Sequence, residues 1–177
     1  DIEEHYGEQV WLGLDLSQNR DITALGAVVR TGTDANNKPL YDAWVEAWTP
    51  GDTIAARAMK DKLPYEVWAR EGHIHAPQGE NISYRHVAQT IAEYDRDFAV
   101  QLVAYGRFAF RKFEEDVTEI GLHVSFVEHP QGGTKKGKPL VAGQDGLWMP
   151  GSIWLIEDAL FEDKKKKKNN PVLISAM

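Results

Sequence analysis

Two acidic residues, Asp15 and Asp21, are the side chains whose type and spacing point most directly to chemistry in this sequence. Asp15 interrupts the apolar segment Val10–Leu16, "VWLGLDL", and we expect it to lie within the sheet. A carboxylate buried without a partner is strongly destabilising or takes up a proton, so a partner is expected. Asp21 follows six residues later, beyond the turn-forming "SQNR", so a hairpin would place both acids at one end of a sheet. The simpler alternative is that Asp15 only caps that turn.

The elements that would position these acids begin with three β-rich segments. Their apolar alternation and the turn residues between them predict an antiparallel meander of three strands, Val10–Leu16, Ile22–Arg30 and Leu40–Trp48. We expect Trp44, Trp48, Trp68 and Trp154 to pack in the core.

The rest of the chain alternates between helical and strand patterns. Thr49–Gly79 has helical spacing with a break at Pro64, and Ser83 is a plausible N-cap for the helix that follows. The later predicted elements are a helix Tyr84–Asp97, a strand Val100–Tyr105 parallel to the first strand, a helix Arg107–Ile120 ended by Gly121, a strand Leu122–Pro130 and a helix Ser152–Asp163. This order predicts an α/β fold, with a mixed sheet flanked by helices.

The length, amino-acid composition and net charge of the chain limit the functions that it could have. The 177 residues fit one domain, and no apolar run is long enough to span a membrane. The absence of cysteine excludes disulfides and thiolate metal sites and is typical of a reducing compartment. A net charge of −7 disfavours nucleic-acid binding, although local basic patches matter more than the total. Two such patches are the loop lysines Lys135, Lys136 and Lys138 and the run Lys164–Lys168, which is either a solvated helix end or a contact for a polyanion.

Four segments, in the same order, resemble the nuclease domain of the large terminase subunit of tailed bacteriophages, which has a ribonuclease H-like fold. They are "GLDLSQNRDITALGAVV" (13–29), "LPYEVWAREGHIHAPQGENISY" (63–84), "VQLVAYGRFAFRKFEEDVTEIGLHVSFVEHPQG" (100–132) and "NPVLISAM" (170–177). The resemblance spans nearly the whole chain, with gaps near 31–39 and 133–150.

The resemblance implies a metal-dependent endonuclease that cuts concatemeric double-stranded DNA during viral packaging. It implies that Asp15 and Asp21 are catalytic and bind two divalent ions, Mg²⁺ or Mn²⁺, because such hard ions prefer oxygen ligands. The implied partners are double-stranded DNA, the terminase small subunit, the portal of the procapsid and an ATPase domain of the same polypeptide. The implied location is the cytoplasm of the infected bacterial host, without secretion or a membrane.

Two positions depart from the family pattern. The family's second catalytic Asp lies in the motif that reads "AYGRF" here, so Gly106 occupies its place and supplies no ligand atom. The family's third acid lies beyond the segment that resembles "NPVLISAM". We therefore expect residues 1–177 to be a C-terminally incomplete nuclease domain with impaired activity. The ATPase domain is expected to be absent, because there is no GxxxxGK[ST] motif.

Other candidates and alternatives remain open on the sequence alone. Arg107 is a candidate phosphate contact or an ordinary surface residue, and His73, His75 and His129 are candidate ligands or DNA contacts or simply packing and surface residues. The alternative functions are a catalytically inactive docking or DNA-binding module of the packaging motor, and another ribonuclease H-like enzyme such as a resolvase or transposase core.

Overall fold

The computed structural model describes residues 2–17, 22–130, 149 and 152–153. Two compact units are present, Asp1–Val127 and Glu128–Met177. Within the described residues, no helix is both long and apolar enough to cross a membrane.

A mixed five-stranded sheet organises the first unit. Its strands are β1 Gln9–Asp15, β2 Thr23–Thr33, β3 Pro39–Trp48, β4 Ala99–Tyr105 and β5 Phe126–Glu128, in the spatial order β3-β2-β1-β4-β5. β2 pairs antiparallel with both β1 and β3, whereas β4 pairs parallel with β1. The predicted meander, the parallel fourth strand and the α/β fold class are therefore confirmed.

The helices follow the predicted order, but the start of α4 and the capping of α3 differ from the prediction. They are α1 Ile54–Asp61, α2 Tyr65–Arg70, α3 Tyr84–Asp97 and α4 Phe110–Ile120. Pro64 separates α1 from α2 as expected, and Ser83 occupies the N-cap position of α3, although its side chain makes no capping hydrogen bond. α4 begins at Phe110 rather than Arg107, because the chain first forms a turn in which Ala109 has a left-handed φ of 58°.

The last predicted strand is shorter than expected. Gly121 ends α4 in a left-handed conformation, and the Leu122 N–H bonds to the Val117 carbonyl at 3.1 Å. The residues after the helix therefore still satisfy its terminal carbonyls, as a helix C-cap does. The sheet resumes only at Phe126 instead of at Leu122.

The core lies between one face of the sheet and helices α3 and α4. Along β1, Val10, Leu12 and Leu14 are buried and alternate with Trp11, Gly13 and Asp15, which lie on the opposite face. The buried set packs with residues of the two helices, including Val87, Ile91 and Phe113, all 0% exposed. Each such side chain stabilises the fold by roughly 1.5–3 kcal/mol through removal from water.

Two of the tryptophans predicted for the core, Trp44 and Trp48, lie on β3. Trp48 is buried, and the half-buried Trp44 packs against the core cluster. Trp68 is half-buried and meets the Tyr65 ring edge-on at 5.4 Å, whereas Trp154 lies outside the described residues.

Hydrogen bonds link parts of the second unit that the structure describes. The His129 Nε2 and Ser152 Oγ atoms lie 2.8 Å apart, and the Met149 N–H donates to the Pro130 carbonyl at 2.9 Å. Residues 152–153 are helical, but the rest of the predicted helix Ser152–Asp163 lies outside the described residues. So do Lys135, Lys136, Lys138, the run Lys164–Lys168 and the segment Asn170–Met177.

Candidate functional site

Asp15 is the last residue of β1 and is exposed on the face of the sheet opposite the core. Its neighbours Leu14 and Leu16 are buried on the other face, as strand alternation requires. The expectation of a carboxylate enclosed in the sheet was wrong, because the apolar residues that flank Asp15 point away from it. Asp15 therefore meets solvent at the carboxyl end of the strand.

Gly106 directly follows β4, and Asp15 is the last residue of β1. In the parallel ladder, Gly13 pairs with Ala104 and Leu14 with Tyr105, so the next residues along the two strands are Asp15 and Gly106. Gly106 is not among the described glycines that have a positive φ. Asp15 and Gly106 each come directly after the last pair of this ladder, at the same end of the two strands.

The connection between β1 and β2 leaves the sheet at the end that carries Asp15, which pairs with Ala24. Asp21 belongs to this connection but lies outside the described residues, so its distance from Asp15 stays a prediction. The two ends of the connection meet where the buried Ser17 donates its backbone N–H to the Thr23 hydroxyl at 3.0 Å. The Tyr84 hydroxyl of α3 donates to the Ser17 carbonyl at 2.8 Å.

Sequence reasoning missed this group of Ser17, Thr23 and Tyr84. It fixes the start of the hairpin connection to both the sheet and α3, immediately after Asp15. Nothing in apolar periodicity signals a hydrogen bond between residues far apart in sequence. The only hint was a Ser and a Thr at the two ends of a predicted turn.

The turn between β4 and α4 presents polar and aromatic side chains at the same end of the sheet. Arg107 and Phe108 are exposed there, directly after Gly106. On either side of the turn, the Tyr105 and Phe110 rings stack with centroids 3.5 Å apart and planes 15° from parallel. The turn is therefore closed at its base by an aromatic pair.

The described residues do not by themselves fit a two-ion centre. Among them there is no group of three or more His, Cys, Asp or Glu side chains arranged to hold a metal ion. At the carboxyl ends of β1 and β4, the carboxylate supplied by the two strands themselves is that of Asp15, since position 106 is glycine. Two ions each need several oxygen ligands, so a complete site would require acids beyond these strands.

The histidines considered as ligands are engaged elsewhere. His75 Nε2 lies 2.7 Å from Glu46 Oε2, and its ring stacks on Trp48 with centroids 5.3 Å apart. His73 Nε2 lies 3.7 Å from a Glu71 carboxylate oxygen. These contacts favour packing and surface roles for the pair.

Comparison with known proteins identifies the family to which the chain belongs. The family model described as "Terminase large subunit, endonuclease domain" matches residues 1–148. The chain belongs to this family.

Relatives of the terminase nuclease domain agree in sequence and in structure. The chain is 34% identical over 143 residues to the terminase large subunit of Enterobacteria phage HK97, an alignment that covers 81% of this chain and 27% of that protein. The crystal structure of the HK97 bacteriophage large terminase superposes with a TM-score of 0.62 at 33% identity, covering 72% of this chain and 26% of that one. The chain thus spans about a quarter of the length of these terminases, and its ribonuclease H-like fold is confirmed.

Proposed function

We propose that this terminase nuclease domain is a metal-dependent endonuclease that cuts concatemeric double-stranded DNA during packaging. The observation that supports this most is the position of Asp15 at the carboxyl end of β1, next to the parallel strand β4 that Gly106 follows. Ligand and catalytic groups of open α/β sheets gather at such strand ends. The family match favours this reading over a resolvase or transposase core.

The metal ions would be Mg²⁺ or Mn²⁺, with Asp15 and Asp21 as the ligands. When bound, such ions activate a water molecule and stabilise the leaving oxygen of a phosphodiester. Gly106 contributes no ligand, and the described residues contain no complete cluster. We therefore propose that hydrolysis is impaired in this form of the domain.

A second candidate function is a catalytically inactive module that docks within the packaging motor or holds DNA. The glycine at position 106 favours it, because a residue without ligand atoms follows β4 at the sheet end that carries Asp15. The two candidates share the fold and the DNA-facing end of the sheet. They differ only in whether phosphodiester bonds are cut.

The partners proposed for the domain follow from its family. They are double-stranded DNA, the terminase small subunit, the portal of the procapsid and the ATPase domain of the same polypeptide, in the cytoplasm of the infected host. Arg107 is an exposed candidate for a phosphate contact at the sheet end. Lys135, Lys136 and Lys138 are proposed as further backbone contacts, since clustered cations supply most of the affinity for DNA.

Restoring an acid beside Asp15 tests the proposal. Gly106→Asp is expected to increase Mn²⁺-dependent nicking of supercoiled plasmid above that of the parent chain. Asp15→Asn in the same background is expected to abolish the gain. Gly106→Asn is the matched control, because it fills the same space without the negative charge. Cleavage by the parent that Asp15→Asn leaves unchanged would place the nuclease site elsewhere. No gain with Gly106→Asp, together with intact DNA binding, would support the inactive module.

A further inference from the structure

Phe108 is an exposed aromatic side chain beside the candidate site. Its residue is 59% exposed, and it lies two positions after Gly106, at the sheet end that carries Asp15. Single exposed apolar residues are common on protein surfaces, so exposure alone carries no argument. The two other strongly exposed aromatic residues in the described chain, Tyr6 and Tyr41, lie toward the opposite end of the sheet. Phe108 therefore differs from them in its position at the sheet end that carries Asp15.

The turn holds Phe108 away from the core. Tyr105 and Phe110 stack on each other at the base of the turn, and Phe110 packs further against Phe113 with centroids 5.8 Å apart. Ala109 adopts a φ of 58°, which is uncommon for a residue with a side chain and persists only where surrounding packing fixes it. Phe108 makes no aromatic ring contact with the rest of the described chain.

Two exposed arginines lie close to Phe108 in the sequence. Arg107 precedes it, and Arg111 follows in the first turn of α4; both are exposed. Arg111 makes no ion pair within the described residues, and the first turn of α4 contains no acidic residue. Guanidinium groups bind phosphate oxygens, whereas an aromatic face stacks on a nucleobase of any sequence. Along a nucleic-acid strand, phosphates and bases repeat. The arginines could therefore bind phosphates while the ring of Phe108 stacks on a base.

We propose that Phe108 stacks on a nucleobase of the DNA strand that passes Asp15, with Arg107 and Arg111 on the neighbouring phosphates. This inference rests on the proposed function, because it assumes that DNA occupies this end of the sheet. It adds a contact to the base itself, which opens or distorts the duplex next to the candidate site. Apolar side chains act in this way when they partly unstack a base step.

Binding measurements on the full chain test the stacking contact. The probe is a fluorescein-labelled DNA duplex at low salt, read by anisotropy. Phe108→Ala is expected to weaken binding by more than twofold. The upper bound is the roughly 5- to 150-fold that one aromatic–base stack gives on a single strand, because unstacking the duplex offsets part of that gain. Phe108→Trp retains a stacking face and is expected to restore affinity. Tyr41→Ala is the matched control, because it removes a ring of similar exposure at the opposite sheet end and is expected to change little.

Salt dependence separates stacking from charge. Phe108→Ala is expected to leave the slope of log K against log [salt] unchanged, since it removes no phosphate contact. Arg111→Gln is expected to reduce that slope by about one. A duplex with 5-iododeoxyuridine at successive positions gives direct evidence, because photocrosslinking to the Phe108 peptide reports a base against the ring.

The outcomes distinguish a failure of the stacking contact from a failure of the proposed function. Suppose that the parent chain binds the duplex, that Phe108→Ala binds within twofold of it, and that no crosslink reaches Phe108. The stacking contact is then wrong, whereas the proposed DNA-cutting function is unaffected. If the parent and its Gly106→Asp variant bind no duplex even at low salt, the DNA-facing site itself is wrong, and the stacking contact falls with it. Circular dichroism and thermal melts that match those of the parent exclude misfolding as the cause of a loss.

Discussion

The Trp44 indole donates its Nε1–H to the Tyr94 hydroxyl at 2.6 Å, which joins the edge strand β3 to α3. Burial raises the pKa of Tyr94 from 10.0 to about 12; the hydrogen bond from Trp44 lowers it, and the nearby Glu46 carboxylate raises it. The neutral phenol is therefore the form that the folded state prefers, and its hydroxyl is positioned to donate to Glu46 at 3.5 Å.

The raised pKa of Tyr94 makes alkaline pH destabilising. Between pH 10 and 12 an unfolded tyrosine has lost its proton while Tyr94 in the fold keeps it, so the free energy of unfolding falls as pH rises through this window. The loss approaches roughly 2–3 kcal/mol above pH 12 and vanishes below pH 9. Urea unfolding at a series of pH values measures it. Tyr94→Phe lowers stability at neutral pH and flattens the alkaline slope, leaving the smaller contribution of Tyr84, whose pKa burial also raises. An identical slope in both proteins would contradict the assignment.

The hydrogen bond at the start of the hairpin connection is expected to be important for stability. Thr23→Val keeps the side-chain shape but leaves the buried Ser17 N–H without the hydroxyl that accepts it, a loss of about 1–3 kcal/mol in the free energy of unfolding. Thr118→Val is the matched control, since its hydroxyl donates to the Glu114 carbonyl on an exposed helix surface. That change is expected to stay within about 0.5 kcal/mol. Equal losses in the two variants would argue against a special role for the connection.

Close backbone approach at Gly51 predicts a second sensitive position. A Cβ added there would lie 2.8 Å from the carbonyl oxygens of both Ala76 and Pro77, and the Gly51 N–H bonds to Pro77 at 2.8 Å. Gly51→Ala is therefore expected to reduce stability by about 1–3 kcal/mol, as overpacking does. Gly13→Ala is the control, because nothing lies within 4 Å of its added methyl group. Thermal melts compare the pair, and similar melting temperatures would contradict the predicted clash.

DNA binding by the isolated chain is expected to be weak and strongly dependent on salt. The net charge of −7 opposes phosphate binding, so affinity has to come from local cations. Replacing Lys135, Lys136 and Lys138 with Glu should weaken binding further, whereas replacing the exposed Lys60 and Lys62 should not. Titration of a labelled duplex at two salt concentrations decides this. Tight binding that is insensitive to salt would mean that the contact is carried by other chemistry.

The fold could be predicted well where local pattern and topology agree. Alternation in β1 and the bounds of α3 are properties of short segments, and both were predicted correctly, although Ser83 does not cap α3 with its side chain. The start of α4 was not, because the left-handed Ala109 belongs to a turn held by the Tyr105–Phe110 stack, which joins residues outside any local period.

The candidate site shows the same division. Asp15 was recognisable as an acid in an apolar segment, but its exposure depends on which face of the sheet the helices cover. The register that brings the end of β1 next to the end of β4 depends on pairing between strands that are far apart in the chain. Such long-range pairing leaves no mark in the spacing of residues within either strand.

The two faces of β1 have a consequence for how this domain evolves. Leu12 and Leu14 face the core, so substitutions there disturb packing that the sheet shares with the helices. Asp15 is exposed at the end of β1, residue 106 follows β4 at the same sheet end, and neither belongs to the described core cluster. Side chains at this sheet end can therefore change over evolution without altering the buried residues that hold β1 in place.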